Sequence, residues 1–328
     1  MTSKTKPRRV FSPCKRMGNH LPNRSKEGDV CVRAGDEWWG VQAILCITAV
    51  TMLMPPPRGH SLGQPPRTPL RQLPVEVTRG FTRGSGHYER TRPGYPPAAL
   101  RFVHQKFHLG PGRHVVDVGA GTGKWTRELV TTGAEVTAVE PLPAMRRILR
   151  QQVPGARVVA ARGEATGLPT RSTDLITLAQ SFHWLDAERA LAEFRRILRP
   201  GGGLAVLYNH RDEPGARGSE VRALLAEYQP DSYRAYGEGA WKRTLERSPF
   251  YSDLQIFRYR HSQLLTREEM LERYLSVSFI SALSPSRRDQ FLERLATILD
   301  DFSGRSRTHR FRIPYRGAIY WCRLRPES

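Results

Sequence analysis

The stretch VVDVGAGTGKW, residues 115–125, decides the fold. Its apolar run predicts a short buried strand, and Gly119, Gly121 and Gly123 predict a tight turn where the backbone approaches a ligand closely, because glycine has no Cβ. The alternate spacing departs from the G-x-G-x-x-G dinucleotide pattern, and no G-K-S/T follows a four-residue spacer as in a P-loop. The turn therefore excludes a P-loop and disfavours a dinucleotide.

Short apolar strands alternate with amphipathic helices around this turn. The sequence predicts strands at 114–120, 135–141, 156–163, 173–181, 203–210, 254–265 and 317–325. It predicts helices at 99–107, 123–133, 144–155, 186–202, 219–229 and 266–279, the last opened by a Thr266–Glu269 capping box. This order predicts right-handed βαβ crossovers and a Rossmann-like, doubly wound α/β sheet, which binds ligands beyond the carboxyl ends of its strands.

Residues 1–78 differ from the rest of the chain because they are rich in Pro, Arg and Gly without periodicity. We expect this extension to lie outside the folded domain at 79–328, either as a disordered tail or, preferably, as upstream DNA translated from a misassigned start codon. The apolar run at 41–54 is shorter than the roughly 20 residues of a membrane helix, so a membrane anchor is the least favoured alternative.

The formal charge of +21 raises the question of a nucleic-acid partner. Only seven of the 52 Lys and Arg residues are lysines, and the arginines are spread along the chain. Such a distribution favours solvated surface charge over a nucleic-acid groove. The four cysteines show neither metal-ligand nor disulfide spacing, so we expect no metal and a reduced, cytoplasmic location.

Three carboxylates lie at the ends of successive predicted strands: Asp117 and Glu140 near the ends of the first two, and Glu164 directly after the third. Each would repel a pyrophosphate by roughly 4 kcal/mol at 4 Å in an effective dielectric near 20. They suit a ligand with a cationic centre and free ribose hydroxyls, to which a carboxylate makes charge-assisted hydrogen bonds. S-adenosylmethionine has these properties.

Over roughly residues 85–325 the sequence resembles the class I methyltransferases, which use this cofactor. The resemblance rests on VVDVGAGTGKWT, VEP, GEATGLP, TDLITLAQSFHWLD and RILRPGGGLAVL, in the family's order. YERTRPGYP and the HW pair resemble the type 11 subgroup that includes trans-aconitate-type and other small-molecule methyltransferases. The family implies a seven-stranded, mostly parallel sheet whose last strand is antiparallel.

The resemblance also implies the residues that hold the cofactor. Asp117, Gly119 and Gly121 would face its methionine part, Glu140 its ribose, and Glu164 with Ala165 its adenine. Ala120, Gly123 and Gln180 complete this predicted cofactor site. Relatives usually carry Glu where this chain has Thr166.

Other residues are candidates for the acceptor side. His183 is a candidate general base, with the alternative that it packs with Trp184 over the cofactor; a carboxylate acceptor would need no base. The family places a lid at Tyr88, Arg92 and Tyr95, where Arg92 would hold a substrate carboxylate, and Arg211 lies at the rim after the fifth strand.

The sequence thus predicts S-adenosylmethionine-dependent methyl transfer to a small molecule, through a carboxylate or hydroxyl, by a monomer or homodimer. The alternatives are an RNA or DNA methyltransferase, favoured only by charge, and an NAD-dependent Rossmann enzyme. SFHW does not match the N/D-P-P-Y/F/W tetrad of enzymes that methylate base amines, which weakens the nucleic-acid alternative.

Overall fold

The computed structural model describes residues 32–33, 73–234, 239–303 and 310–326. The described strands are β1 Val32–Arg33, β2 His114–Val118, β3 Glu135–Val139, β4 Arg157–Val159, β5 Thr173–Ala179, β6 Leu198–Arg211, β7 Gln255–Leu265 and β8 Phe311–Arg323. They form one sheet in the order β1-β7-β8-β6-β5-β2-β3-β4. Strands β2 to β6 pair in parallel, and β8 runs antiparallel to both β6 and β7. The seven-stranded sheet with an antiparallel last strand is confirmed, and the two-residue β1 adds to its edge.

The described helices cover the sheet and build a cap beside it. They are α1 Val75–Thr91, α2 Pro97–Phe107, α3 Lys124–Val130, α4 Pro143–Gln152, α5 Ala187–Ile197, α6 Gly215–Tyr228, α7 Asp231–Arg234, α8 Gly239–Arg247, α9 Arg267–Leu275, α10 Ser278–Ser281 and α11 Pro285–Ser303, with a 3-10 turn at Phe182–Trp184. No helix among these is long and apolar enough to cross a bilayer.

Strand alternation divides the core between the two faces of the sheet. Val116 and Val118 of β2 pack with α5 and α8 on one face. Val115 packs with α2 and α3 on the other face. Because side chains alternate along a strand, Asp117 shares the Val115 face and points toward α3.

A third apolar cluster forms the cap from α6, α9, α10 and α11 and the ends of β7 and β8. Helix α1 lies directly against this cap: a Cβ on Gly80 would overlap the carbonyl oxygen of Ser278, and one on Gly84 would lie 2.9 Å from the carbonyl oxygen of Leu275. The two glycines therefore permit a close helix contact that larger residues would prevent.

Several boundaries differ from the sequence predictions. Helix α1 starts at Val75, ahead of the predicted boundary at residue 79, because Val77 is fully buried. Except for Val32–Arg33, residues 1–72 lie outside the described part of the chain, as does the predicted disorder there.

The predicted helix at 186–202 ends at Ile197, because Leu198 adopts an extended backbone and pairs with Thr173 as the start of β6. Strand β8 begins six residues before the predicted 317, at Phe311, because it pairs along β7 as far as Leu265. The capping box at Thr266 and Glu269 is confirmed, although α9 ends at Leu275 and α10 restarts at Ser278. Sequence reasoning missed α1 and the long α11.

Candidate active site

The three glycines of the turn after β2 have positive φ but different surroundings. A Cβ on Gly119 would lie 2.5 Å from the Cβ of Ser181, and one on Gly123 would lie 2.5 Å from Leu149 Cδ1. A Cβ on Gly121, at φ +58, would meet no protein atom within 4 Å. Gly119 and Gly121 line a cavity of about 2090 Å³ at the carboxyl ends of the parallel strands, whereas Gly123 permits packing against α4.

Asp117 is fully buried and does not line that cavity. Its Oδ2 accepts a hydrogen bond from Thr126 Oγ1 at 2.6 Å, and its Oδ1 accepts one from Thr177 Oγ1 at 3.0 Å. Burial raises its pKa to about 6, while the two hydroxyl donors lower it. In this structure the Asp117 carboxylate therefore fastens the start of α3 to β5, and its predicted contact with the cofactor stays a prediction.

Glu140 faces the cavity at the end of β3. Its Oε2 accepts the backbone N–H of Gly121 at 2.9 Å, and its Oε1 accepts that of Leu142 at 2.8 Å. Burial raises its pKa to about 7, against the lowering effect of these bonds and of Arg146. The parallel register of β2 and β3 brings Gly121 and Glu140 together, because Val118 pairs with Val139.

Glu164 lines the cavity, but both of its carboxylate oxygens have protein partners. Arg162 donates from Nη2 to Oε1 at 2.9 Å and from Nε to Oε2 at 3.3 Å. The backbone N–H of Asp186 also donates to Oε1, at 3.1 Å. Glu164 therefore holds the strand-end loop to the start of α5, and Ala165, predicted beside it, does not line the cavity.

His183 lies in the 3-10 turn after β5. Its Nδ1 is 3.2 Å from the hydroxyl of Tyr208, and its ring lies 4.6 Å from the Trp184 ring between centroids. Burial lowers its pKa to about 4. Since a general base works best with a pKa near the operating pH, this environment makes His183 a weak base.

The predicted lid residues come together on the same cavity. Tyr88 and Arg92 lie at the end of α1, with the Arg92 guanidinium 5.3 Å from the Tyr88 ring centroid. Tyr95 packs edge-on against Trp125 with a centroid separation of 5.0 Å. Burial is the main cause that raises the pKa of both tyrosines.

Arg211 is paired within the protein. Its Nε donates to Glu213 Oε2 at 2.9 Å, and its Nη2 also contacts the Tyr274 hydroxyl. The positive charge of Arg211 is therefore paired with the carboxylate of Glu213 inside the protein.

Of the predicted site residues, most line this one cavity. They are Tyr88, Arg92, Tyr95, Gly119, Ala120, Gly121, Glu140, Glu164, Gln180, His183, Trp184 and Arg211. Asp117, Gly123 and Ala165 do not. The described residues contain no cluster of three His, Cys, Asp or Glu side chains suited to a metal ion.

Sequence reasoning missed charged residues of the cavity, among them one in the cap and one at the start of α3. Arg273, on α9, is 7% exposed and lines the cavity, and Lys124, at the start of α3, also lines it. Lys124 directly follows the glycine turn, so its position in the sequence could have identified it as a site residue. Arg273 is one of many arginines, and nothing in its local sequence distinguishes it from the others.

The described residues form a doubly wound α/β fold whose cavity lies between a glycine turn and an acidic strand end, the edge at which such sheets bind ligands. The methyltransferase domain family matches residues 116–206. An uncharacterized methyltransferase from Mycobacterium tuberculosis is 32% identical over 240 residues, which cover 73% of this chain and 93% of the relative. The chain belongs to the class I S-adenosylmethionine-dependent methyltransferases.

Two further proteins match this chain over nearly their whole length. An uncharacterized methyltransferase-like protein of Schizosaccharomyces pombe is 28% identical over 249 residues, 76% of this chain and 96% of the relative. A solved structure assigned as a type II methyltransferase from Anaeromyxobacter dehalogenans gives a TM-score of 0.57 at 26% identity, covering 72% of this chain and 99% of that one. The finer resemblance to the trans-aconitate-type subgroup stays a prediction.

Proposed function

We propose that the cavity binds S-adenosylmethionine with its ribose at Glu140, and that the protein methylates an oxygen of a small-molecule acceptor. The arrangement of Glu140 carries this proposal: a buried carboxylate is held in place by two backbone N–H groups and borders the cavity. Its remaining acceptor capacity suits a pair of ribose hydroxyls. When bound, the cofactor supplies an electrophilic methyl group on a sulfonium.

The surrounding residues fit that cofactor. Gly121 leaves open space where a side chain would stand, so the ligand can approach the backbone. The cavity is also lined by Gly119, Ala120 and Gln180. Its aromatic surface includes Tyr88 and Trp184. A carboxylate at this strand end can also hold the ribose of NAD, so the preference for a sulfonium nucleoside rests on the glycine spacing and on membership of the methyltransferase family.

The low basicity of His183 bears on which kind of oxygen accepts the methyl group. His183, with a pKa near 4, is poorly suited to remove a hydroxyl proton at neutral pH. A carboxylate acceptor has lost its proton before it binds, so the protein needs only to position it in line with the methyl group. A carboxylate is therefore preferred to a hydroxyl as the acceptor.

Isothermal titration calorimetry with S-adenosylhomocysteine and with NAD tests the cofactor assignment. We expect binding of S-adenosylhomocysteine and none of NAD; the reverse result would overturn the proposal. Incubation with a radiolabelled methyl donor and fractionated cell extract then tests the acceptor, since a methyl ester releases its label as methanol in mild base whereas a methyl ether retains it.

A further inference from the structure

Two arginines from separate elements share one serine beside the cavity. Arg92, at the end of α1, donates from Nε to Ser276 Oγ at 2.9 Å and from Nη2 to the Ser276 carbonyl oxygen at 3.2 Å. Arg273, on α9, donates from Nη1 to the same Oγ at 3.3 Å. That hydroxyl in turn donates to the Arg273 carbonyl oxygen at 2.6 Å. One neutral hydroxyl thus joins two guanidinium groups.

Neither guanidinium has an ion-pair partner among the described residues. Arg273 is 7% exposed, and its Nε has no hydrogen-bond partner there. Burial lowers the pKa of Arg92 to about 9, and the charge of Arg273 lowers it further. Arg211, on the same cavity, differs because it has its own carboxylate in Glu213. Within the described ranges, no carboxylate is therefore paired with Arg92 or Arg273.

The pair belongs to the cavity that contains Glu140. Arg92, Arg273 and Tyr88 all line that cavity. The pKa of Tyr88 is raised mainly by burial, lowered by both arginines and raised by Glu140, so these groups are within electrostatic range of one another. Lys124, which lies 3.9 Å from a Glu89 carboxylate oxygen, is within electrostatic range of both arginines. An anion at the pair would lie in the cavity proposed for the methyl acceptor.

We propose that Arg92 and Arg273 bind an oxyanion, a carboxylate or a phosphate, through which the acceptor is anchored at the cap end of the cavity. The inference rests on the proposed function for the view that this anion belongs to a methyl acceptor. Planar guanidinium groups match the geometry of oxyanions. Two buried guanidinium groups without a carboxylate partner gain more free energy from binding an oxyanion than ion-paired ones do. The anchored acceptor is thus a small anion that contacts α1 and α9 at once.

The test measures the melting temperature of the full chain and of Arg92→Gln, Arg273→Gln and Arg258→Gln in sodium citrate, sodium phosphate and sodium chloride at equal ionic strength. We expect citrate or phosphate to stabilise the wild type more than chloride does. The excess shift should shrink in both variants of the pair to the general stabilising effect of the salt, and their calorimetric affinity for the effective anion should fall about tenfold or more. Arg258, an exposed arginine on the same cavity wall, is the matched control and should retain the shift.

The anion whose excess shift is lost in both variants of the pair but kept in Arg258→Gln identifies the chemistry as carboxylate or phosphate, and the proposal is overturned if the pair variants keep the whole shift. The proposal is overturned if neither anion exceeds chloride with the wild type, or if Arg258→Gln loses the shift as fully as Arg273→Gln does. A cooperative melting transition in sodium chloride establishes that each variant is folded. Failure of the wild type to bind S-adenosylhomocysteine would contradict the proposed function separately, since the anion shifts are read without it.

Discussion

The Glu140 carboxylate accepts the backbone N–H of Gly121 at 2.9 Å and thereby joins the glycine turn after β2 to the end of β3. The same carboxylate accepts the N–H of Leu142 at the start of α4. One side chain therefore fixes the shape of the cavity wall and presents its remaining acceptor capacity to a ligand. This double role makes Glu140 the most direct position at which to test the site.

Replacing Glu140 with Gln should reduce the affinity for S-adenosylhomocysteine by about 10- to 100-fold, because hydrogen bonds to a charged acceptor contribute about 1.5 to 3 kcal/mol. Isothermal titration calorimetry measures this change. Glu135→Gln is the matched control, since Glu135 begins the same strand, is exposed and lies away from the cavity. Similar losses in both variants would show that the effect is unrelated to ribose binding.

The affinity of the wild type for S-adenosylhomocysteine should fall as the pH drops below about 7. Burial raises the pKa of Glu140 from 4.5 to about 7, so protonation there removes the charged acceptor. The decrease should approach about tenfold per pH unit below the pKa and be absent in Glu140→Gln. For folding the sign is opposite: the native state binds this proton more tightly, so the group favours folding increasingly as the pH falls from 7 to 4.5. Titrations between pH 5.5 and 8.5 would contradict the prediction if they gave a flat profile.

Gly121→Ala and Gly123→Ala should separate binding from packing. A Cβ on Gly123, at φ +89, would lie 2.5 Å from Leu149 Cδ1 and 2.9 Å from Val153 Cγ2. We expect Gly123→Ala to lower the free energy of unfolding by about 2 to 4 kcal/mol through overlap and backbone strain. Gly121→Ala should lose only about 1 to 2 kcal/mol from strain, and its main effect should be weaker binding of S-adenosylhomocysteine. Urea denaturation measures the free energy of unfolding of both variants, and calorimetry measures their affinity for S-adenosylhomocysteine. Equal stability losses would refute this division of roles.

His183 should remain neutral between pH 6 and 8, because burial lowers its pKa to about 4. Nuclear magnetic resonance of the imidazole Hε1, assigned by its loss in His183→Gln, measures the titration directly. No midpoint is expected within that range. A midpoint near 6.5 would restore His183 as a candidate general base and would reopen the case for a hydroxyl acceptor.

The sequence predicted the sheet well because its parallel strands are short, apolar and separated by amphipathic helices. It also predicted that Glu140 lies at the carboxyl edge of the sheet, where the structure shows it beside the cavity; its contact with a ribose stays a prediction. It did not predict that the Asp117 carboxylate would be held by Thr126 and Thr177, because that orientation depends on strand alternation and on the pairing of β2 with β5. The starts of β6 and β8 were misjudged for a related reason: both follow from pairing with residues distant in the chain.

By itself, the sequence determined the doubly wound fold, the glycine turn and the acidic strand end, because each depends on local pattern and on rules that hold for every parallel sheet. Only the tertiary structure decided which charges face the cavity. Arg92 and Arg273 meet at Ser276 because Gly80 and Gly84 let α1 pack closely on the cap, and no local signal in the sequence reports a contact between such distant segments. The free energy of that contact comes from burial of surfaces that become neighbours only when the chain has folded.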